Sequence, residues 1–309
     1  MSYEIGGGIA LVLPHILRDW HVSIGGTRGG LGPATGVATE EFKVEEYTGD
    51  GFSVCVERDR QSRFIVSFDG LASFSVNQAD RTIVCHPLAK QLPEATLEHL
   101  LLDQIVPRIL GQQGGLVLHA AGLGHEGAVI LLLGDTGRGK STLATSLYTQ
   151  GMDLLGDDAM NINLEDDRPL ARAVYPSLRL LPDSRTSLLP AETVHHPIGS
   201  QTRKERITLP FMALPQQSYQ PIAGIFILEN ALPDTAIALR QLNPAELCMA
   251  LTSNSFALDP ADNRAASNRL QIAASLARQA PAYALHYARD YALLPRVRAA
   301  IVDSLSPVR

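Results

Sequence analysis

The chain has 309 residues, 45% of them hydrophobic and 19% charged, which excludes a disordered, collagen-like or coiled-coil protein and leaves room for one large domain or two ordinary ones. A formal charge of -6, with lysines and arginines scattered along the chain, excludes a general nucleic-acid binder, whose contact with the phosphate backbone needs a clustered positive surface. The three cysteines, Cys55, Cys85 and Cys248, are too far apart to suggest a disulfide framework or a zinc site.

Taken in chain order, Met1 to Ala10 lacks a basic stretch followed by an apolar core, so no signal peptide is expected. The longest apolar run, Ala128 to Leu133, is too short to span a bilayer, so no membrane partner and a cytoplasmic location are expected. Gly25 to Gly36 reads as a loop. It is no phosphate cradle, because no strand feeds it and no helix leaves it. Phe52 to Glu57, Arg63 to Phe68, Ala72 to Val76 and Thr82 to Cys85 alternate or run apolar, and polar turns such as Arg58 to Arg60 and Asn77 to Asp80 separate them. They predict short strands. Leu97, Leu100, Leu101, Ile105 and Ile109 then recur at helical spacing until the glycines after Leu110 stop the helix. A β-rich N-terminal domain over residues 1–113 follows from this, with a second domain over 114–309.

From Leu116 the pattern changes to strands alternating with helices, the signature of an α/β core. Strands are predicted at Leu116 to His119, Ala128 to Leu133, Met152 to Leu155 and Ile222 to Leu228, with a helix over Lys140 to Thr149. Asn243-Pro244 with Glu246 reads as a capped helix start, Asp259-Pro260 as a second one before a helix ending near Gln279, and Pro295 to Leu305 as a last short helix. There is no internal repeat.

Between the strand at Ala128 and the helix at Lys140 lies Gly134-Asp135-Thr136-Gly137-Arg138-Gly139-Lys140-Ser141, followed by Thr142, a complete match to the phosphate-binding loop Gly-x4-Gly-Lys-Ser/Thr. Its three glycines let backbone N–H groups turn inward around phosphate oxygens, and the helix N-terminus adds positive potential. Lys140 is a mobile charge for the β- and γ-phosphates of ATP, and the Ser141 hydroxyl is placed to bind magnesium.

Asp157-Asp158 follows after only one helix and one short strand, so the pair is expected at the carboxyl end of the strand next to the loop strand, facing the phosphates. Adjacent strand residues point to opposite faces, so both aspartates can act there only if a turn or bulge re-aims one of them. One would then hold magnesium and the other accept the proton of an attacking hydroxyl. His119 ends its strand just before Ala120-Ala121. It is a candidate for the site, though a histidine so placed is commonly a structural hydrogen-bonder.

The ordered set Leu118-His119, the loop at Gly134 to Ser141, and Leu155-Gly156-Asp157-Asp158 resembles the kinase domain of the HPr kinase/phosphorylase family, whose fold is akin to ATP-dependent phosphoenolpyruvate carboxykinase. That resemblance implies an α/β kinase fold, ATP and Mg2+ as cofactors, and a histidine near the phosphates. It makes Asp157 the acid/base and Asp158, with Ser141, the metal ligand. Leu116 to Ala121, Tyr175 to Leu180 and Leu285 to Asp290 extend the likeness to HPr-kinase-related proteins without the usual N-terminal domain, among them kinases that tailor lasso-peptide precursors.

Two features depart from the HPr kinases. Thr142 stands where they usually have glutamate, and Arg203-Lys204-Glu205-Arg206 occupies the region of their downstream glycine-rich signature. Both point away from HPr as acceptor and from phosphorylase activity. Arg179, Lys204 and Arg206 are candidates to stabilise the transferring phosphoryl group, with Lys204 and Arg206 preferred because both can lie on one side of an extended segment.

The reading is an ATP- and magnesium-dependent kinase whose acceptor is a serine of a peptide or protein, a lasso-peptide precursor being one candidate. A small-molecule kinase of the same fold is the alternative. A nucleotide switch fits less well: Asp153-Leu154-Leu155-Gly156 matches Asp-x-x-Gly but follows the loop too closely, and no Asn-Lys-x-Asp is present. A homo-oligomer is compatible with all of this.

Overall fold

Alternating apolar residues set up the first sheet, and near-continuous apolar runs set up the second. The computed structural model describes residues 2–5, 9–12, 19–25, 43–49, 52–58, 63–88, 92–199, 202–210, 218–232 and 237–305. The loop expected at Gly25 to Gly36 falls outside these residues after Gly25, as does the turn at Asp59-Arg60. The chain divides into two compact units. One comprises Met1–Gln112 with Ile198–Arg203 and Ala257–Asp262; the other holds Gln113–Pro197, Lys204–Phe256 and Asn263–Arg309.

In the first unit, β1 (Ser2–Ile5) and β2 (Ile9–Val12) form an antiparallel pair. A six-stranded sheet is built from β3 (His21–Ile24), β4 (Lys43–Gly49), β5 (Phe52–Arg58), β6 (Phe64–Phe68), β7 (Ala72–Asn77) and β8 (Thr82–Pro87), in the order β3-β8-β7-β6-β5-β4. All neighbours are antiparallel except β3 and β8. The period of two is visible in β6, where Phe64, Val66 and Phe68 are buried and the residues between them less so. The turn after β7 is closed by the Asn77 carboxamide oxygen, which accepts from the N–H groups of Ala79 and Asp80.

The predicted helix is present, with a change of winding inside it: α1 (Glu94–His99) passes into a π-helical turn over Leu100–Ile105 and then into α2 (Val106–Gln112). Pro107 has no N–H to give the carbonyl one turn back, and the wider turn lies just ahead of it.

The second unit is a mixed α/β layered structure. Its strands are β9 (Leu116–Leu118), β10 (Ala121–His125), β11 (Ala128–Leu133), β12 (Asp153–Gly156), β13 (Met160–Glu165), β14 (Arg168–Ala173), β15 (Arg179–Leu180), β16 (His195–Pro197), β17 (Glu205–Ile207), β18 (Gln220–Glu229), β19 (Ile237–Gln241) and β20 (Ala282–Tyr287). Nine of them form one sheet along the path β12-β10-β11-β18-β14-β13-β9, with β20 beside β18 and β19 beside β20. At its centre β11, β18 and β20 run parallel, so their carboxyl ends lie on one side. A separate three-stranded sheet has the order β15-β17-β16.

Helices cover both faces of the large sheet. Ile130 and Leu132 of β11 pack with α3 (Lys140–Thr149) and α7 (Leu294–Leu305). Val129, Leu131 and Leu133 pack with α5 (Pro244–Ser253) and α6 (Asn263–Gln279) on the other face. A strand buried on both sides must be apolar throughout, which is why β11 reads Ala-Val-Ile-Leu-Leu-Leu. A short helix, α4 (Pro182–Leu188), follows β15.

Three expectations need correction. The strand before Asp157 is not adjacent to the loop strand: β10 lies between β12 and β11, paired antiparallel to each. Asp259-Pro260 does not start α6, which begins at Asn263; the Asp259 carboxylate accepts from the Ala261 N–H and closes a turn instead. Strand structure at Leu116 stops at Leu118, leaving His119 outside it. The start of α5 is as predicted, with reciprocal bonds between Asn243 and Glu246. Among the described residues no helix is long and apolar enough to cross a membrane.

Candidate active site

The loop after β11 turns from strand to helix through three glycines at positive φ: Gly134, Gly137 and Gly139. Two of them are sterically required. Gly139, at φ 92°, is the residue from which α3 starts, and a Cβ on Gly134 would stand 2.8 Å from the Leu228 carbonyl oxygen of β18. Inside the loop the Lys140 ammonium donates to the carbonyl oxygens of Gly134 at 2.6 Å and Asp135 at 3.3 Å. Burial pushes its pKa down, against the pull of Asp157 and Asp158. Arg138 points elsewhere, to the side chains of Asn230 and Asp135.

β12 delivers the acidic pair into a tight turn. The Asp157 N–H donates to the Ser177 carbonyl at 3.0 Å, the Ser177 hydroxyl donates to the Asp157 carbonyl at 2.5 Å, and the Ala159 N–H returns to that carbonyl at 3.0 Å. Asp158 takes φ 71°, a left-handed conformation in which aspartate is better tolerated than most side chains. This is the turn that the alternation argument demanded if two neighbouring aspartates were to serve one site.

The two carboxylates end in different surroundings. Asp158 lines the cleft and receives the Arg179 Nε–H at 2.6 Å, both side chains being almost wholly buried. Burial alone would raise its pKa, yet Arg179 and Lys204 hold it well below the usual carboxylate range. Asp157 is fully buried and outside the cleft lining, and the Ser141 hydroxyl is the side-chain donor that acts on its carboxylate. Burial first, then the charge of Asp158, push its pKa up to about 6; the Ser141 hydroxyl, Lys204 and Arg179 act the other way.

His119 faces the cleft beside Asp158, and its Nδ1 donates to the Asp158 carbonyl at 3.2 Å. A carbonyl can only accept, so this bond leaves Nε2 as the unprotonated nitrogen. Phe256 meets the ring edge to face at 5.9 Å. Burial and the charge of Lys140 lower its pKa to about 4, so the imidazole is neutral at pH 7.

These groups share one cleft of about 280 Å3. It is lined by Thr136 to Thr142 with His119, Asp158, Arg179 and Lys204, and by a second set comprising Leu181, Asp183, Ser184, Tyr287, Arg289 and Tyr291. Of the predicted residues, Gly134, Asp135 and Asp157 are not in the lining: Gly134 and Asp157 are buried, and the Asp135 side chain is exposed to solvent.

Arg206 is not in the lining either. The i, i+2 argument that paired it with Lys204 holds only within a continuous strand, and β17 begins after Lys204. Arg206 lies mid-strand, its backbone in register with Arg179 on one side and His196 on the other. Of the three candidates for the transferring phosphoryl group, Arg179 and Lys204 line the cleft. The second set escaped the sequence reading because it gathers residues from the start of α4, the end of β20 and the turn after it, which only the fold brings together. Among the described residues no group of three or more His, Cys, Asp or Glu side chains forms a ready-made metal cage.

No family model matches the chain, and no curated protein matches it. Solved structures do match, among them the HPr(Ser) kinase/phosphatase from Coxiella burnetii, at 9% identity and a TM-score of 0.31, covering 61% of this chain and 95% of that one. Numbers this low carry no functional argument, so the functional reading rests on the cleft itself.

Proposed function

We propose that this protein is an ATP-dependent phosphotransferase that moves the γ-phosphoryl group to a hydroxyl, with a serine of a peptide or protein as the acceptor class. The observation that carries the reading is the convergence, within one cleft, of a glycine-built phosphate loop, a buried lysine, an ion-paired aspartate and two further cations. Phosphoryl transfer asks for little covalent chemistry from a protein and much positioning of charge, which is what this set supplies.

The loop amides and Lys140 would bind the phosphate chain. Arg179 and Lys204 would meet the charge that spreads over the transferring oxygens. Asp157 would take the proton, directly or through one water, as the acceptor oxygen bonds to phosphorus and the bond to the ADP oxygen breaks. Its raised pKa of about 6 puts it in the range of a general base at neutral pH. Neutral His119, held by the Asp158 carbonyl, would orient rather than titrate.

The donor set also fits magnesium. The Ser141 hydroxyl and the carboxylates of Asp157 and Asp158 are all hard oxygens, and the Ser141 hydroxyl acts directly on the Asp157 carboxylate. Ser141 and Asp158 would hold the ion, which when bound neutralises charge between the β- and γ-phosphates. One observation favours the reverse division of the pair: Asp158 lines the cleft and Asp157 does not. Against it, an aspartate held in an Arg179 ion pair is a weak base.

Incubation with γ-labelled ATP, magnesium and candidate peptides, lasso-peptide precursors included, followed by mass spectrometry to locate the label, tests the reading. Label on a peptide serine supports it. Transfer only to sugars or other metabolites would move the acceptor to the small-molecule class, and full transfer by Lys140→Ala would remove the loop from the reaction. Asp157→Asn should lower turnover more than ATP affinity, whereas Asp158→Asn should raise the magnesium requirement; the opposite pattern reverses their roles.

A further inference from the structure

The phosphate loop and its acidic pair account for one end of the cleft only. From Arg179 the chain runs through Leu180 to Leu181 and into α4, advancing about 3.3 Å per residue while extended. It therefore leaves the phosphoryl end and reaches the first turn of α3, where the hydroxyls of Thr142 and Ser184 meet at 3.0 Å. In a loop of this type the lysine serves the β- and γ-phosphates and the backbone the α- and β-phosphates. Whatever is attached to the α-phosphate must lie beyond Thr142, on the α4 side.

That side is built differently. Leu181 and Tyr291 line it while 41% and 39% exposed, and Leu294 closes it from the start of α7. The Tyr291 ring is not free to swing. Its hydroxyl bonds with the buried Ser184 hydroxyl at 3.1 Å and donates to the Asp183 carboxylate at 3.3 Å. Two large apolar side chains are thus held open at the mouth of a cleft, one of them a fixed aromatic face. Beside them stands a carboxylate that can only accept hydrogen bonds.

We propose that this end seats the nucleoside half of the triphosphate: the base against Tyr291, Leu181 and Leu294, and the ribose hydroxyls donating to Asp183. An acidic side chain matches the paired donors of a ribose diol, and an aromatic face accepts any base by stacking. The proposal rests on the phosphotransferase reading and adds to it the discrimination of a nucleotide from a bare polyphosphate.

The test is equilibrium binding, with magnesium present, of ATP, 2′,3′-dideoxy-ATP and inorganic tripolyphosphate to the full chain and to Tyr291→Ala, Tyr291→Phe and Asp183→Asn. Loss of a base–aromatic stack is expected to weaken ATP about tenfold in Tyr291→Ala. Tripolyphosphate should change less than about twofold, a readout that general damage to the cleft would not spare. Tyr291→Phe keeps the face but frees the ring from Ser184 and Asp183, and should bind ATP between the parent and Tyr291→Ala; Asp183→Asn should weaken ATP but not the dideoxy analogue. Equal weakening of ATP and tripolyphosphate by Tyr291→Ala, or no effect on either, would overturn the seat while leaving the phosphate loop in place. A parent protein that binds neither ligand would overturn the phosphotransferase reading, and the seat with it.

Discussion

Two neighbouring aspartates with opposite electrostatics are the most informative residues of this protein. Asp158 has gained Arg179 and stays ionised; Asp157 is governed by its burial and the Asp158 charge and resists ionisation up to about pH 6. A carboxyl whose pKa is raised in the folded state stabilises it at low pH and loses that contribution as pH rises from 3.8 through about 6. Asp157→Asn should therefore leave the melting temperature near pH 4 almost unchanged and raise it at pH 8. Turnover moves the other way, since a base must be deprotonated, and the parent should gain activity with rising pH through about 6. A substitution that stabilises the fold while stopping the reaction marks a group kept for chemistry; a melting curve lowered at pH 8 would refute the burial argument. Arg179→Ala, in contrast, leaves the Asp158 charge buried and unpaired, and should cost on the order of 3–5 kcal/mol by denaturant unfolding. The loop and the acidic pair were legible because each is a contiguous motif whose chemistry fixes its residue types. The Arg179–Asp158 pair was not, because two strands and a turn separate its members and only the fold sets their distance.

At the scale of elements, backbone geometry explains both what the sequence reading found and what it missed. Gly134→Ala would place a methyl group against a backbone oxygen of β18 and at φ 136°, with no flexible side chain to yield. It should lower stability by more than the roughly 1 kcal/mol of an ordinary glycine replacement at positive φ and weaken ATP binding at the same time. Parallel thermal melts and nucleotide titrations check this, and an alanine variant with normal values of both would show that the loop does not need that path. The apolar run of β11 and the helix from Lys140 to Thr149 were legible from the same logic of burial and propensity. β10 was missed because Ala-Gly-Leu-Gly-His carries two glycines, the poorest of strand formers. Those glycines have a packing reason: a Cβ on Gly122 would overlap the Met160 methyl group, and one on Gly124 would stand 3.2 Å from Asp153. The feature that lets β10 fit between β11 and β12 is the one that hides it. Asp259-Pro260 misled for a related reason, since an aspartate that closes a turn and one that caps a helix offer the same acceptor to the same backbone groups.

At the scale of the whole molecule, the two units are not consecutive in sequence. Every residue that lines the cleft belongs to the second unit, yet that unit's chain leaves it twice, over Ile198–Arg203 and Ala257–Asp262, to complete the first. Within the first unit these segments are well anchored. The Thr96 hydroxyl donates to the Ile198 carbonyl at 3.2 Å, Gln112 binds the backbone of Asp259 and the carboxylate of Asp262, and Arg58 pairs with the fully buried Asp259. Deleting residues 1–112 would thus spare the cleft lining but remove Arg58 and Gln112, exposing both returning segments and leaving the Asp259 charge without its arginine. The two segments would lose the hydrogen bonds and packing they fold against, and a loss of even a few kcal/mol is a large part of a typical stability of about 5–15 kcal/mol. The 113–309 fragment should therefore express poorly or melt well below the full chain. Melting temperatures of the full chain and of the fragment decide the matter. A fragment as stable as the full chain, binding ATP equally well, would show that the first unit contributes nothing to the integrity of the second.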